Sequence, residues 1–285
     1  MLQLGQPGCL FIIMKKNISK HTSWGNVADW YSEHLSSGDT YHETLILPNL
    51  MRLVGDVVGK RVLDLACGTG FFSRALAEAG AQVTGVDIAP ELIAKAKNNL
   101  LGYPTSKFVV TPAHDLSQFE SNSFDVIINI LAIDNIAEIS EMLLECARVL
   151  KRDGSMHIVF NHPVLRIPGA SSWDFDQKRG VQYRRLDKYM SESKIRILMN
   201  PGSIPPKPSL KLREGRDEIR GEITTTTFHR PLQTYFKYFA KAGLAVTNLE
   251  EWVSNRTSEK GPRRKAEDVS RKEFPLFIYL RLQRG

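Results

Sequence analysis

Four residues in one short stretch have the types and spacing of a ligand cradle: Asp64, Gly68, Gly70 and Asp87. Glycines two apart make a tight turn whose backbone can approach a ligand closely. Asp64 stands four residues before the first glycine, and Asp87 follows the second by 17 residues. Gly68, Gly70 and Ser73 nearly spell the G-x-G-x-x-G/A fingerprint of dinucleotide sites, in which Asp87 would hold a ribose. A pyrophosphate, however, wants N–H groups and a helix N-terminus with no anion beside them. A carboxylate at Asp64 repels phosphate and suits a cation. A ligand with positive charge, a ribose diol and no phosphate fits the combination better.

Holding that geometry takes a strand, a turn, a helix and a second strand. Residues 62–66 are a short apolar run that predicts a buried parallel strand. The turn at 67–70 leads into a helical pattern over 71–79 that Gly80 stops. A second strand over 82–86 ends on Asp87, and Pro90 opens another helix.

The string Val62-Leu63-Asp64-Leu65-Ala66-Cys67-Gly68-Thr69-Gly70 resembles motif I of the class I S-adenosylmethionine-dependent methyltransferases. Val86-Asp87-Ile88-Ala89-Pro90 resembles the acidic motif that follows it. S-adenosylmethionine carries a sulfonium and an ammonium, has no phosphate and presents a ribose diol. Over the whole chain the resemblance is to the type 11 methyltransferases, the group that includes ubiquinone- and menaquinone-biosynthesis enzymes. It implies an α/β fold with a Rossmann-like seven-stranded sheet in the order 3-2-1-4-5-7-6, strand 7 antiparallel, and a cap inserted after strand 5. It further implies S-adenosyl-L-methionine as cofactor, held around Asp64, Ala66, Gly68, Gly70, Asp87 and Ile88, and a small-molecule methyl acceptor.

Other segments extend the resemblance. A third strand is expected over 107–111, followed by Asp115 and Leu116 where the family sets an acidic residue against the adenine amino group, a donor that needs an acceptor. Ser123-Phe124-Asp125 enters a fourth strand over 123–129, with Asn129 near the C-terminal end, where open α/β sheets bind ligands. A helix over 137–150 puts Cys146 on its apolar face, a packing position, and Gly154 is expected to turn the chain into strand 5 at 155–160. Near the N-terminus, Trp24, Val27, Ala28 and Tyr31 fall on one face of a helix over 24–35. A second helix is expected over 41–58, interrupted near its start by Pro48. The resemblance lays these helices over the cofactor, so that Tyr31, Tyr41 and His42 reach its methionine end. An aromatic stripe of this kind is equally a core-packing pattern.

Residues 161–228 are too long for a simple connection and are expected to form a substrate cap with a small antiparallel sheet, including strands at 181–185 and 221–228. The core would then comprise 24–160 and 229–285, with a helix at 231–242 and strands at 244–252 and 277–282. Methyl transfer from a sulfonium is an in-line displacement in which alignment supplies much of the acceleration. An oxygen acceptor must still lose a proton. His162, directly after strand 5, is the expected base or acceptor-orienting residue, with His229 second and Asp134 and Asn135 on the substrate side. A hydrogen-bonded loop histidine is the alternative reading of His162. Asn161-His162-Pro163 departs from the Asn/Asp-Pro-Pro-aromatic motif of methyltransferases acting on nucleic-acid bases, because it follows strand 5 and lacks both the first proline and the aromatic.

A chain of 285 residues with 42% hydrophobic content fits one large α/β domain with an insertion. The net charge of +7 keeps nucleic acid in view, and residues 255–272 hold seven Lys/Arg against three Asp/Glu. No RNA-binding module is visible, so an RNA or protein methyltransferase and a noncatalytic cofactor-binding protein stand as alternatives. The cysteines, Cys9, Cys67 and Cys146, are scattered and odd in number, which argues against disulfides and for a reducing, cytoplasmic setting. No apolar run reaches the ~18–20 residues of a membrane span, so no stable membrane insertion is expected. No Cys/His set has zinc spacing, so no metal is implied. Residues 1–23 are expected to be disordered, with Met14 as an alternative start.

Overall fold

The computed structural model describes residues 24–35, 38–198 and 224–285. In chain order its strands are β1 (Arg61–Leu65), β2 (Gln82–Asp87), β3 (Lys107–Val110), β4 (Phe124–Ile130) and β5 (Leu150–Asn161), then β6 (Ser171–Asp176), β7 (Val181–Leu186), β8 (Ser193–Leu198), β9 (Thr224–His229), β10 (Leu244–Trp252) and β11 (Phe277–Arg284). Seven of them form one sheet in the order β3-β2-β1-β4-β5-β11-β10. β1 to β5 pair in parallel, while β11 runs antiparallel to both β5 and β10. The expected strand order and the reversed last strand are both present.

Helices α2 (Leu47–Val54), α3 (Phe71–Glu78), α4 (Pro90–Asn99), α5 (Ile139–Val149) and α6 (Leu232–Lys241) cover both faces of this sheet, while α1 (Ala28–Leu35) packs beside α4 and α7 (Arg264–Glu273) packs on β7. Alternation along a strand sends successive side chains to opposite faces. Val62 therefore packs with Leu50, Leu76 and Ile93, while Leu63 and Leu65 pack with Leu143, Cys146 and Phe239. Each apolar side chain so buried contributes roughly 1.5–3 kcal/mol. Asp64 shares the face of Val62, which aims it at α3.

Three local departures from expectation have physical causes. The second helix ends at Val54, not 58, because Gly55 turns the chain at φ +72°. Its first turn, His42–Ile46, is a wide π turn. Pro48 has no N–H to give the carbonyl of Thr44, and Asn255 Nδ2 donates to that carbonyl instead, at 2.9 Å. β5 begins at Leu150, with no separate turn before it. Leu150 already pairs with Phe124, the pairing resumes at Ser155 with Val126, and residues 151–154 bulge out between. A side chain at Gly154 would stand 2.8 Å from the Asp125 carbonyl oxygen, so only glycine fits the bulge.

Among the described residues, the segment after β5 contains two separate two-stranded antiparallel sheets, β6–β7 and β8–β9, in place of one small sheet. Within the basic stretch, α7 forms a helix that the charge pattern did not announce. Among the described residues, no helix is long and apolar enough to cross a membrane.

Candidate active site

The turn after β1 is built from positive φ angles at Ala66 (+62°), Gly68 (+55°) and Gly70 (+79°). Glycine accepts this conformation at no steric cost. At Gly70 a Cβ would also come within 3.0 Å of Leu100 and 3.2 Å of Ala96, so glycine lets α4 close against the turn. Ala66 and Gly68 are half-buried and form the open lip. Cys67 lies inside, its thiol driven far above the usual range by burial and by the charges of Asp64 and Asp87.

Both carboxylates lie beneath this lip. Asp64 is 2% exposed and accepts the Ser73 hydroxyl at 2.6 Å. Burial pushes its carboxyl up to about 7, opposed by Ser73 and reinforced by Asp87. Asp87 accepts the Gly68 N–H at 3.0 Å and the Ala89 N–H at 2.9 Å, one on each oxygen. Burial raises this carboxyl too, and the N–H groups of Ala89, Gly68 and Ile88 pull it back. A carboxylate has about four acceptor positions, so Asp87 keeps capacity for a diol. Two buried carboxylates under one glycine turn disfavour a pyrophosphate and suit a cationic, ribose-bearing ligand. Asn129 adds a further acceptor: its Nδ2 donates to the Leu65 carbonyl at 2.8 Å, leaving Oδ1 buried without a partner.

The remaining expected cofactor residues are placed unequally. Asp115 is half-buried and accepts from Ser117 Oγ at 2.7 Å. Leu116 turns into the core, and its N–H goes to Glu145 at 3.0 Å, with Arg148 bonding the Leu116 carbonyl at 2.9 Å. Ile88 is half-buried beside Asp87. Trp24 packs on Ala89 and Leu92, which brings the N-terminal helix to the end of β2. His42 sits edge-on to Phe71 at 6.3 Å. The side chain of Tyr31 and residues 1–23 lie outside the described residues.

A cavity of ≈ 420 Å³ opens on the β4–β5 side, walled in part by His42, Asp134, Asn161, Phe228, His229 and Arg230. Asp134 stands in the short turn Ile133–Asn135 after β4. Asn161 Nδ2 donates to its carboxylate at 3.0 Å, and Arg166 Nη1 donates to Asn161 Oδ1 at 2.6 Å. The Tyr235 phenol is held above its usual range by burial first, then by the charge of Asp134. The cavity is roofed from the N-terminal side by a tie: Tyr41 Oη meets Ser254 Oγ at 2.7 Å, and Arg256 donates to the carbonyl and carboxylate of Asp39 while lying 4.5 Å from the Tyr41 ring centroid.

His162 is not part of the cavity wall, although Asn161 and Pro163 are. Alternation is the reason: Asn161 shares the face of Val159 and pairs with Phe277, whereas His162 follows Phe160 to the opposite face. There it is 4% exposed, and its Nε2 meets Glu251 Oε1 at 2.7 Å. Burial lowers its pKa and Glu251 partly offsets the effect, while Nδ1 is buried without a partner. The expected base thus faces away from this cavity. His229, the second choice, does line the cavity. Its Nε2 donates to the Tyr189 carbonyl at 2.7 Å, so the neutral ring carries its lone pair on Nδ1. The signal that sets His162 apart from Asn161 is strand parity at the end of β5.

Residues 63–158 match a family model described as a methyltransferase domain, type 11. This stretch is similar to methyltransferase domains of that type. Over 113 residues the chain is 35% identical to a demethylmenaquinone methyltransferase of Tropheryma whipplei, covering 39% of this chain and 46% of that protein. Over 118 residues it is 36% identical to a ubiquinone biosynthesis O-methyltransferase of Xanthomonas oryzae pv. oryzae, covering 40% and 47%. The chain spans about half the length of these relatives. The fold of the chain is similar to that of an S-adenosylmethionine-dependent methyltransferase of Mesorhizobium loti, with a TM-score of 0.61 and 20% identity over 83% of this chain and 96% of that one. A second such structure, from Clostridium acetobutylicum, gives 0.58 and 16% over 92% and 99%.

Proposed function

We propose that the protein is an S-adenosylmethionine-dependent methyltransferase that methylates a small molecule. The observation that carries this reading is the Asp87 carboxylate tied to the Gly68 N–H under a turn of three positive φ angles. That arrangement puts ribose acceptors and close backbone approach at one point, with no room for phosphate charge. The names of the relatives, both quinone-biosynthesis methyltransferases, support a small-molecule acceptor.

S-adenosylmethionine supplies an electrophilic methyl group on a sulfonium, a leaving group that needs no help from an acid. The chain's residues bind and aim. Asp87 takes the ribose diol through its free lone pairs, Asp115 accepts from the adenine amino group, and Ala66 and Gly68 let the backbone come close. Asn129 Oδ1 and Asp64 provide acceptors and negative charge near the cationic end. His42 and Trp24 cover the methionine side and restrict water. Across the cavity, His229 Nδ1 receives the acceptor's proton and Asp134 orients the acceptor.

The basic stretch supports nucleic acid less well than its charge suggests. Arg256 is held by Asp39, Arg263 lies 4.6 Å from the Phe175 ring centroid, Arg264 reaches Asp268 at 3.6 Å, and Arg271 bonds Ser258 at 2.9 Å. These cations act within the fold. Incubating the protein with methyl-labelled cofactor and a cell extract, then separating small molecules, RNA and protein, tests the proposal. Label in the small-molecule fraction is expected. Label confined to RNA or protein, or S-adenosylhomocysteine that does not bind, would overturn it.

A further inference from the structure

Arg230 is only 6% exposed, yet it carries a charge that proteins do not discharge. Its Nη2 donates to the carbonyls of Ile136 at 2.8 Å and Ala137 at 3.3 Å, and the guanidinium lies 4.8 Å from the Phe228 ring centroid. These contacts fix the plane of the group. Nη1 is buried with no hydrogen bond of ordinary geometry, the guanidinium lies against the Tyr235 phenol, and among the described residues no carboxylate forms an ion pair with it. A buried charge in that state is costly until a counter-ion arrives.

Of the other guanidiniums of the cavity wall, Arg256 is held by Asp39 and Arg166 gives one N–H to Asn161 from an exposed position where water solvates its charge, which leaves Arg230 as the buried one without an acid. Asp134 also faces the cavity, but its carboxylate is held by Asn161 at 3.0 Å and Asn135 at 3.5 Å. We infer that the methyl acceptor carries a carboxylate and that Nη1 of Arg230 receives it in this cavity. This rests on reading the cavity as the acceptor site of a methyltransferase. A planar guanidinium matches a planar carboxylate, and the volume of ≈ 420 Å³ falls within the range of small-molecule sites. The neighbouring His229 then faces the rest of the acceptor, which places the anionic group and the methylated group on one compact molecule.

Benzoate and its neutral isostere benzamide are the probes, titrated into the full chain with and without S-adenosylhomocysteine and followed by calorimetry. Benzoate is expected to bind about tenfold or more tightly than benzamide, the effect of one charge-assisted hydrogen-bond pair. The preference is expected to weaken in Arg230→Lys and vanish in Arg230→Gln. Equal binding of the two probes to the unaltered protein, or no binding of either at millimolar concentration, overturns the inference without any variant. A preference that survives in Arg230→Gln overturns it too, and tighter binding of phenyl phosphate than of benzoate overturns the assignment of a carboxylate. If benzoate is preferred but S-adenosylhomocysteine does not bind, the anion site stands and the methyltransferase reading fails.

Discussion

Asp64 and Ser73 meet beneath the glycine turn, hydroxyl to carboxylate, at 2.6 Å. The bond joins the end of β1 to the first turn of α3, in a place where water does not compete. Burial nevertheless dominates and lifts the Asp64 carboxyl to about 7. An unfolded aspartate titrates near pH ~4, so between ~4 and ~7 the folded chain holds a proton that the unfolded chain has lost. The stabilising contribution is complete below that window and is lost as the pH rises through about 7. Asp64→Asn keeps an acceptor for Ser73 and removes the titration. Thermal melts are expected to show the unaltered protein losing stability relative to Asp64→Asn as the pH passes from ~4 to ~7, by roughly a few kcal/mol in all, with little further change above that. Parallel curves would contradict this.

Asp87 holds the turn and would hold the ribose at once. Asp87→Ala removes both the acceptor for the Gly68 N–H and the one for the Ala89 N–H. A charge-assisted hydrogen bond contributes about 1.5–3 kcal/mol, so the affinity for S-adenosylhomocysteine is expected to fall about tenfold to a hundredfold. Calorimetric titration reads this directly, and an unchanged Kd would remove Asp87 from the site.

The two histidines separate kinetically. His162→Ala is expected to leave kcat on the true acceptor unchanged while lowering the melting temperature, because Glu251 loses its buried partner. His229→Gln is expected to lower kcat by about a hundredfold or more at unchanged cofactor affinity, with partial rescue by added imidazole if proton removal is its role. The reverse pattern would restore His162 as the base.

Gly85 stands in β2, directly before the Val86–Pro90 stretch. A Cβ there would stand 2.5 Å from the Phe108 ring and 2.9 Å from Cys67 Sγ, with β3 and the turn closing on either side of β2. Overpacking of this kind costs about 1–3 kcal/mol. Gly85→Ala is expected to lower Tm by several degrees, read by calorimetry, whereas Gly102→Ala, with nothing within 4 Å, serves as the neutral comparison.

The fold was open to reading because its signals are local. Short apolar runs at 62–66 and 123–129, a glycine turn between strand and helix, and an acidic strand end each depend on neighbours a few positions away. Sheet order was available only through the family resemblance, since nothing in residues 277–282 says that they pair with β5. The acceptor side was less legible. Whether Asn161 or His162 faces the cavity depends on strand parity, and the bulge at 151–154 breaks that count from Leu150, where the strand begins. Residues 264–273 read as a charge run because α7 is polar on most faces and docks through small contacts, such as Ser270 Oγ on the Gln182 carbonyl at 3.0 Å. The unpaired Nη1 of Arg230 has no trace in sequence at all, because it is defined by what fails to surround it.

The proline in α2 has an effect far from its own helix. By leaving the Thr44 carbonyl to Asn255, it stitches residue 44 to residue 255, and Tyr41–Ser254 and Arg256–Asp39 add stitches on either side. Segments 211 or more positions apart in the chain therefore share one local opening equilibrium. Amide hydrogens in α2 and in the strand β10 that leads to this loop should exchange with matched protection, so that loosening either end of the chain loosens the other.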